Sequence, residues 1–282
     1  RRADISNFDL AMGEARLRLA SAKFADMDGV PSIALDGEIE NFSLGQLLTL
    51  WPVDMAEGAR SWIARSMAGG VLPQGTIQVE ASAQDMRQAQ KGNGLPNEAV
   101  LIAFELQDTD VTYIPGMPPI RNAAGWGKLQ GNRFEAGVTQ GVVTFDGDRE
   151  VELVQGDFVT EPLNRRAAPG TIVGQVKGKT ADMLVLLNQD PLNLLASFDF
   201  DPATVGGTTQ AQATLKMPLI KDLTPAMIDI KAHADAQGVV VPNFVGDVDI
   251  DGGTLAIDVT QNQLVASGDV DVLDTAATVR WP

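Results

Sequence analysis

The chain has 282 residues, with 37 acidic against 21 basic side chains, a formal charge of −16, and no cysteine. That balance excludes a nucleic-acid partner, which needs a basic face, and argues against docking on an anionic bilayer through charge; the missing cysteine removes disulfides, thiolate metal sites and cysteine nucleophiles. Hydrophobic residues make up 44% but aromatics only 5%, so the core must be built mainly from Ala, Val and Leu on β-surface.

Taken in chain order, alternation is the main signal. Ala15, Leu17 and Leu19 alternate with Glu14, Arg16 and Arg18, a strand period. Residues 42–51 read as a short helical segment, capped by Ser43 and stopped by Pro52. Residues 54–68 read as an amphipathic helix. Asp54 is its cap, with Glu57 three residues on, and Met55, Ala59, Trp62, Ile63 and Met67 share one face. Gly69-Gly70 ends it, since an αL C-cap suits glycine. Trp51, Trp62 and Ile63 are its expected structural anchors, and the helix is expected to lie as a plug or lid against sheet. From Ile77 to Ala83 the period returns to two.

Residues 98–113 place Val100, Ile102, Phe104 and Leu106 on one side of a strand, with Glu105 and Gln107 opposite. Pro115-Gly116 and Pro118-Pro119 break it. Three or four strands are expected between Gly125 and Thr160, punctuated by Gly131-Asn132, Gly137 and Asp146-Gly147-Asp148. A second helical patch is expected over 181–195, with Thr180 as cap and Pro191 restarting it. Residues 226–237 alternate strictly: Ala226, Ile228, Ile230, Ala232, Ala234 and Ala236 against Met227, Asp229, Lys231, His233, Asp235 and Gln237. The last three strands are expected at 244–250, 254–260 and 263–273. The fold class is therefore mostly β: an elongated antiparallel sheet of roughly a dozen strands with two short helical segments. The whole chain, 1–282, reads as one unit, with a weak repeat dividing it into 1–165 and 166–282.

Candidate chemistry is sparse. His233 is the only histidine, it lies on the polar face of a strand, and no G-x-S-x-G is present. Asp247, Asp249 and Asp251 with Gly252 and Asp258 match the spacing of a calcium loop, but the flanks are period-two where that loop needs helices. They read as the exposed face of a hairpin turning at Gly252-Gly253. Asp108 and Asp110 likewise alternate outward. The reading is a non-enzyme with no metal site, cofactor or nucleotide. The single tyrosine and few aromatics disfavour a sugar-binding site.

Trp51-Pro52, Ala59-Arg60-Ser61-Trp62-Ile63, Gly69-Gly70, the turn Pro115-Gly116-Met117-Pro118-Pro119, and the strand-helix element closing at Pro191-Leu192 occur in that order. In order and spacing they resemble the YhdP-type branch of the AsmA-like superfamily, from about residue 30 onward. The resemblance implies a fragment of a large periplasmic protein, anchored in the inner membrane through a segment this chain lacks. It implies a β-sheet curled like a taco into an apolar groove that carries phospholipid acyl chains between inner and outer membranes, with proteins of both membranes as further partners. It transfers no catalytic residues. Arg1-Arg2 begins like a twin-arginine signal, but no apolar segment follows, and the chain reads as a piece of something longer.

A groove needs a continuous apolar inner face. The candidates for it are Val100, Ile102, Phe104, Ala226, Ile228, Ile230, Ala232 and Ala234. The residues alone, without the resemblance, favour a closed β-sandwich acting as an envelope scaffold, because small side chains let two sheets pack closely and closed cores are commoner than open ones.

Overall fold

Period-two sequence becomes long strands, and the strands join into one sheet. The computed structural model describes residues 2–27, 29–50, 57–195, 200–220, 223–224, 227–245, 248–260, 263–273 and 275–281. The elements are β1 (Arg2–Met12), β2 (Ala15–Met27), β3 (Val30–Ser43), α1 (Leu44–Leu50), α2 (Glu57–Ser66), β4 (Met67–Ala81), α3 (Ala83–Gln90) and β5 (Val100–Val111). They continue with β6 (Ile120–Gln130), β7 (Arg133–Phe145), β8 (Arg149–Thr160), β9 (Pro169–Lys179), α4 (Thr180–Leu187), a 3-10 turn (Pro202–Thr204) and β10 (Gly206–Pro218). The last are β11 (Asp229–Val245), β12 (Val248–Ile250), β13 (Gly252–Thr260), β14 (Gln263–Val272) and β15 (Thr275–Trp281).

Each strand pairs antiparallel with its neighbour in sequence, from β1 through β11 and on through β13 to β15, while β12 pairs with β11 alone. The sheet is not closed, and no second sheet stacks on it among the described residues. The sandwich is therefore not the arrangement. With strands about 4.8 Å apart, the fourteen strands of this path span about 60 Å across the strand direction. The body is elongated, and one sheet crosses both halves of the chain.

So large a sheet has to curl, and its strands carry the means. Register shifts occur at Leu19/Ser21, Val71/Gly75, Leu106/Thr109, Arg121/Ala124 and Leu153/Gln155. Asn7, Asn41, Asp108 and Asn122 have positive φ inside or beside these strands, the residue types that tolerate the left-handed region. An extra residue bends its strand and strengthens the twist. Gly70, expected as a helix cap, instead lies within β4 with φ +87, and a Cβ there would run into the Thr109 side chain.

Among the described residues the helices number four, not two. α1 matches the segment expected over 42–51, and Ser43 caps it by accepting from Gln46 N–H at 3.1 Å. Of the expected 54–68, α2 occupies 57–66 and gives way to β4 at Met67, while residues 51–56, Trp51, Asp54 and Met55 among them, lie outside the described residues. α3 replaces the expected tail of the preceding strand. Ser82 and Asp85 cap each other's backbone, a capping box that stops β4 at Ala81. α4 ends at Leu187, and Pro191 follows in a turn without restarting it. Thr180 is its first residue and its hydroxyl bonds Thr209 at 2.9 Å, so it serves packing and not the cap. Three strands, not four, fill 120–160, with Gly137 inside β7. β15 was not anticipated as a separate strand. Val245 pairs with Val248, so the chain reverses before Asp249 and not at Gly252-Gly253.

The connections sort to two rims. α3 joins β4 to β5 at one rim; α1, α2 and α4 lie at the other. There they cover buried clusters: Ala15, Ile39, Phe42, Leu44 and Leu72 beside α1 and α2, and Val143, Phe145, Val151 and Met183 beside α4. Arg149 and Asp182 form a 2.6 Å ion pair that ties α4 to β8.

Candidate apolar groove

Residues opposite each other in an antiparallel sheet point to the same face, so the pairings show which side chains share it. Starting at Phe104, the partners run Gly127, Ala136, Phe158, Ile172, Leu215 and Ile230. This one row crosses β5 to β11 and joins two expected groove residues that lie 126 positions apart in sequence (104 to 230). The neighbouring row passes through Val138, Gly156, Gly174, Ala213, Ala232 and Val259. Ala234 continues through Ala211, Val176 and Leu153 on one side, and Ile257 and Ala266 on the other. Ile102 leads through Ile77, Gly37 and Leu19 to Phe8.

Val100, Ile102, Phe104, Ile230, Ala232 and Ala234 thus occupy one apolar face. Val100 is buried beneath α3 with Ala81 and Ala99; the other five are half-buried. Ile228 is half-buried and precedes β11, and Ala226 lies outside the described residues. Reading single strands missed Phe158, Ile172, Leu215 and Ile257, which stand in the same rows. Their period-two signal was present, but only register shows which strands they join.

The opposite face is polar. The row adjacent to the Phe104–Ile230 row runs Glu105, Trp126, Gly137, Asp157, Val173, Thr214 and Lys231. Arg18–Glu40 at 2.7 Å, Lys177–Glu152 at 3.0 Å, and Arg133 with Glu135 and Glu161 at 2.6 and 2.9 Å are paired across strands or within them on that side. The Arg133 hydrogen bond holds the Glu135 carboxyl below the usual range. His233 belongs here too. Its Nδ1 lies 2.7 Å from Asp258 and its Nε2 3.3 Å from Asp235, so its pKa is raised, chiefly by the Asp258 hydrogen bond. The imidazole is half-exposed beside two carboxylates, which gives a surface charge cluster.

Along the apolar face the degree of cover changes. Under α4 it is filled, with Val151, Thr209 and Ala236 buried. Along mid-strand it is half-open, and at the β1–β2 end Ile5, Phe8 and Phe24 are 47, 41 and 39% exposed. A concavity of about 740 Å³ at the α3 rim mixes charged residues such as Lys23 and Glu80 with Phe24, Ile33 and Ala81 of the apolar face, another of about 500 Å³ is lined mainly by polar and charged residues such as Glu150 and Lys177, and neither includes a candidate groove residue.

Of the expected helix anchors, Ile63 packs against the Phe42–Leu72 cluster whereas Trp62 is 49% exposed; Trp51 lies outside the described residues. Among the described residues no group of three His, Asp or Glu side chains is arranged to hold a metal ion. Asp249 accepts the Asn243 N–H at 2.7 Å, and Asp247 lies outside the described residues. No helix among the described residues is long and apolar enough to cross a membrane.

Compared with known protein families, curated proteins and solved structures, the chain matches none.

Proposed function

We propose that this chain is a non-catalytic lipid conduit, shielding phospholipid acyl chains from water along the apolar face of its curled sheet. The observation that carries the reading is the unbroken apolar row from Phe104 to Ile230, half-open to solvent, with charged residues on the reverse of the same strands. A sheet that needed only to be stable would cover such a face with a second layer. An acyl chain laid there leaves water at about 0.8 kcal/mol per buried CH₂, and the small Gly156–Gly174–Ala213–Ala232 lane leaves depth for it. The order of motifs and the open trough together favour a place in the periplasm of a Gram-negative envelope, between inner and outer membranes. Movement along the trough then needs no cofactor or nucleotide at the chain itself.

The test is native mass spectrometry of the chain purified without detergent. Co-purified phospholipid, lost on Ile230→Asp in a chain that circular dichroism shows to be folded, is the expected result. A wild-type chain that is folded and lipid-free after expression in a Gram-negative periplasm would overturn the proposal and leave a scaffold.

A further inference from the structure

Two neighbouring connections at the α3 rim, far from either end of the chain, carry their large apolar side chains outward. Residues 161–168 join β8 to β9 and residues 219–228 join β10 to β11, and the Leu219 N–H donates to the Ala168 carbonyl at 2.8 Å. Leu163, Leu219, Ile220 and Met227 are 39, 40, 37 and 47% exposed. The residues buried beside them, Ala168 and Gly170, are small. Folding by itself favours the reverse, with the large apolar groups inside. Next to Leu163 stand Arg165 and Arg166, both exposed and paired with no carboxylate among the described residues. We propose that this rim docks on a phospholipid bilayer, its leucines, Ile220 and Met227 entering the acyl boundary while Arg165 and Arg166 meet anionic headgroups.

The chain's formal charge of −16 opposes an anionic surface, so the contact has to be local. Charges beyond about 8 Å are largely screened at physiological ionic strength, and the acidic groups closest in sequence face basic ones. Glu161, in the same connection, is bonded to Arg133 at 2.9 Å, and Asp229, which opens β11, stands opposite Lys216. Exposed apolar side chains beside cationic ones are the composition with which a protein lies in a membrane interface.

The first connection is also held in place. Leu163 N–H donates to the Asn132 carbonyl at 3.0 Å, Asn164 N–H to the Asn132 side chain at 3.0 Å, and the Asn132 amide back to Asn164 at 2.7 Å. A loop already fixed loses little conformational freedom on docking. Leu219 lies at the lip of the apolar face: a Cβ on Gly170 would stand 2.8 Å from its Cδ2 and 3.2 Å from the Phe158 ring. Phe158 belongs to the row from Phe104 to Ile230, so docking brings the acyl region of the bilayer to the edge of that face. The docking itself does not depend on what the face carries.

Co-sedimentation of the whole chain with vesicles tests this. The chain should bind vesicles of phosphatidylethanolamine with phosphatidylglycerol. Leu219→Glu with Ile220→Glu should weaken that binding about tenfold or more. Arg165→Gln with Arg166→Gln should weaken it about 25-fold, from about 1 kcal/mol per cationic side chain near an anionic surface, and should change binding to phosphatidylcholine vesicles little. All variants alter exposed residues, and circular dichroism checks that they fold. Ile230→Asp, on the apolar face, should leave docking unchanged; its loss there would mean that lipid drawn into the trough holds the vesicle, and would overturn the inference. Binding unaffected by either rim variant would overturn it too. A folded wild-type chain that does not bind the anionic vesicles would also do so, and would leave the rim to a protein partner.

Discussion

The packing of Phe104 over Gly127 offers a direct check on the register that builds the apolar face. A Cβ placed on Gly127 would lie within 2.9 Å of three Phe104 ring carbons, and Gly127 is buried. Gly127→Ala alone should gain about 0.4–1 kcal/mol by restricting the unfolded chain, but displacing the ring costs about 1–3 kcal/mol. The net expectation is a loss of about 1–2 kcal/mol. Phe104→Ala, at a half-buried site, should cost about 2 kcal/mol, roughly half the value for a fully buried ring. In the double variant the clash is gone, and the methyl added at position 127 occupies part of the space the ring has left. The pair should then cost about 1–2 kcal/mol in total, against about 3–4 kcal/mol if the two were independent, a coupling of about 2 kcal/mol. Urea denaturation of the four chains, with m-values compared, measures this. Additivity within about 0.5 kcal/mol would refute the juxtaposition and with it the row from Phe104 to Ile230.

Three further outcomes follow from other parts of the molecule. Ile63→Ala should cost about 2–3 kcal/mol because Ile63 packs on a buried cluster, while Trp62→Ala, half-exposed, should cost under about 1 kcal/mol; thermal melts that reverse the order would contradict the helix orientation. Arg149→Met strands the Asp182 carboxylate, whose side chain is 7% exposed, and should cost about 3–5 kcal/mol, whereas Arg149→Met with Asp182→Leu should recover most of the loss in chemical denaturation. His233 has its pKa raised by Asp258, so its stabilisation is full below the unfolded value of about 6.5 and is lost as pH rises through the folded value. The melting temperature should therefore fall with rising pH in the wild-type chain relative to Asp258→Asn, and parallel curves would refute the pairing.

Most of the strands were legible because one wet face and one dry face impose a strict period of two. Ile230, Ala232 and Ala234 against Asp229, Lys231 and His233 show it plainly. Bulges were not legible. Ile5 and Phe8, three residues apart, share a face only because Asn7 is an extra residue, and a parity rule applied to β1 alone puts them on opposite sides. α3 was hidden because Ala81 and Ala83 prolong the alternation, although Ser82 and Asp85 carry a capping signal. Trp62 misled because helical spacing finds a face but not its width, and the sheet takes up Ile63 and Met67 alone among the described apolar residues of that helix and its exit. The choice between one sheet and two could not be read, since every strand has the same pattern in either; it rests on which strands pair.

The most direct test of the conduit is a photo-crosslinking scan through β11 in cells. A reactive side chain at 230, 232 or 234 should capture phospholipid, and one at 229, 231 or 233 should not, because a single step along the strand turns the side chain from the apolar face to the polar one. Equal capture at both sets of positions, or none at either, would contradict the account.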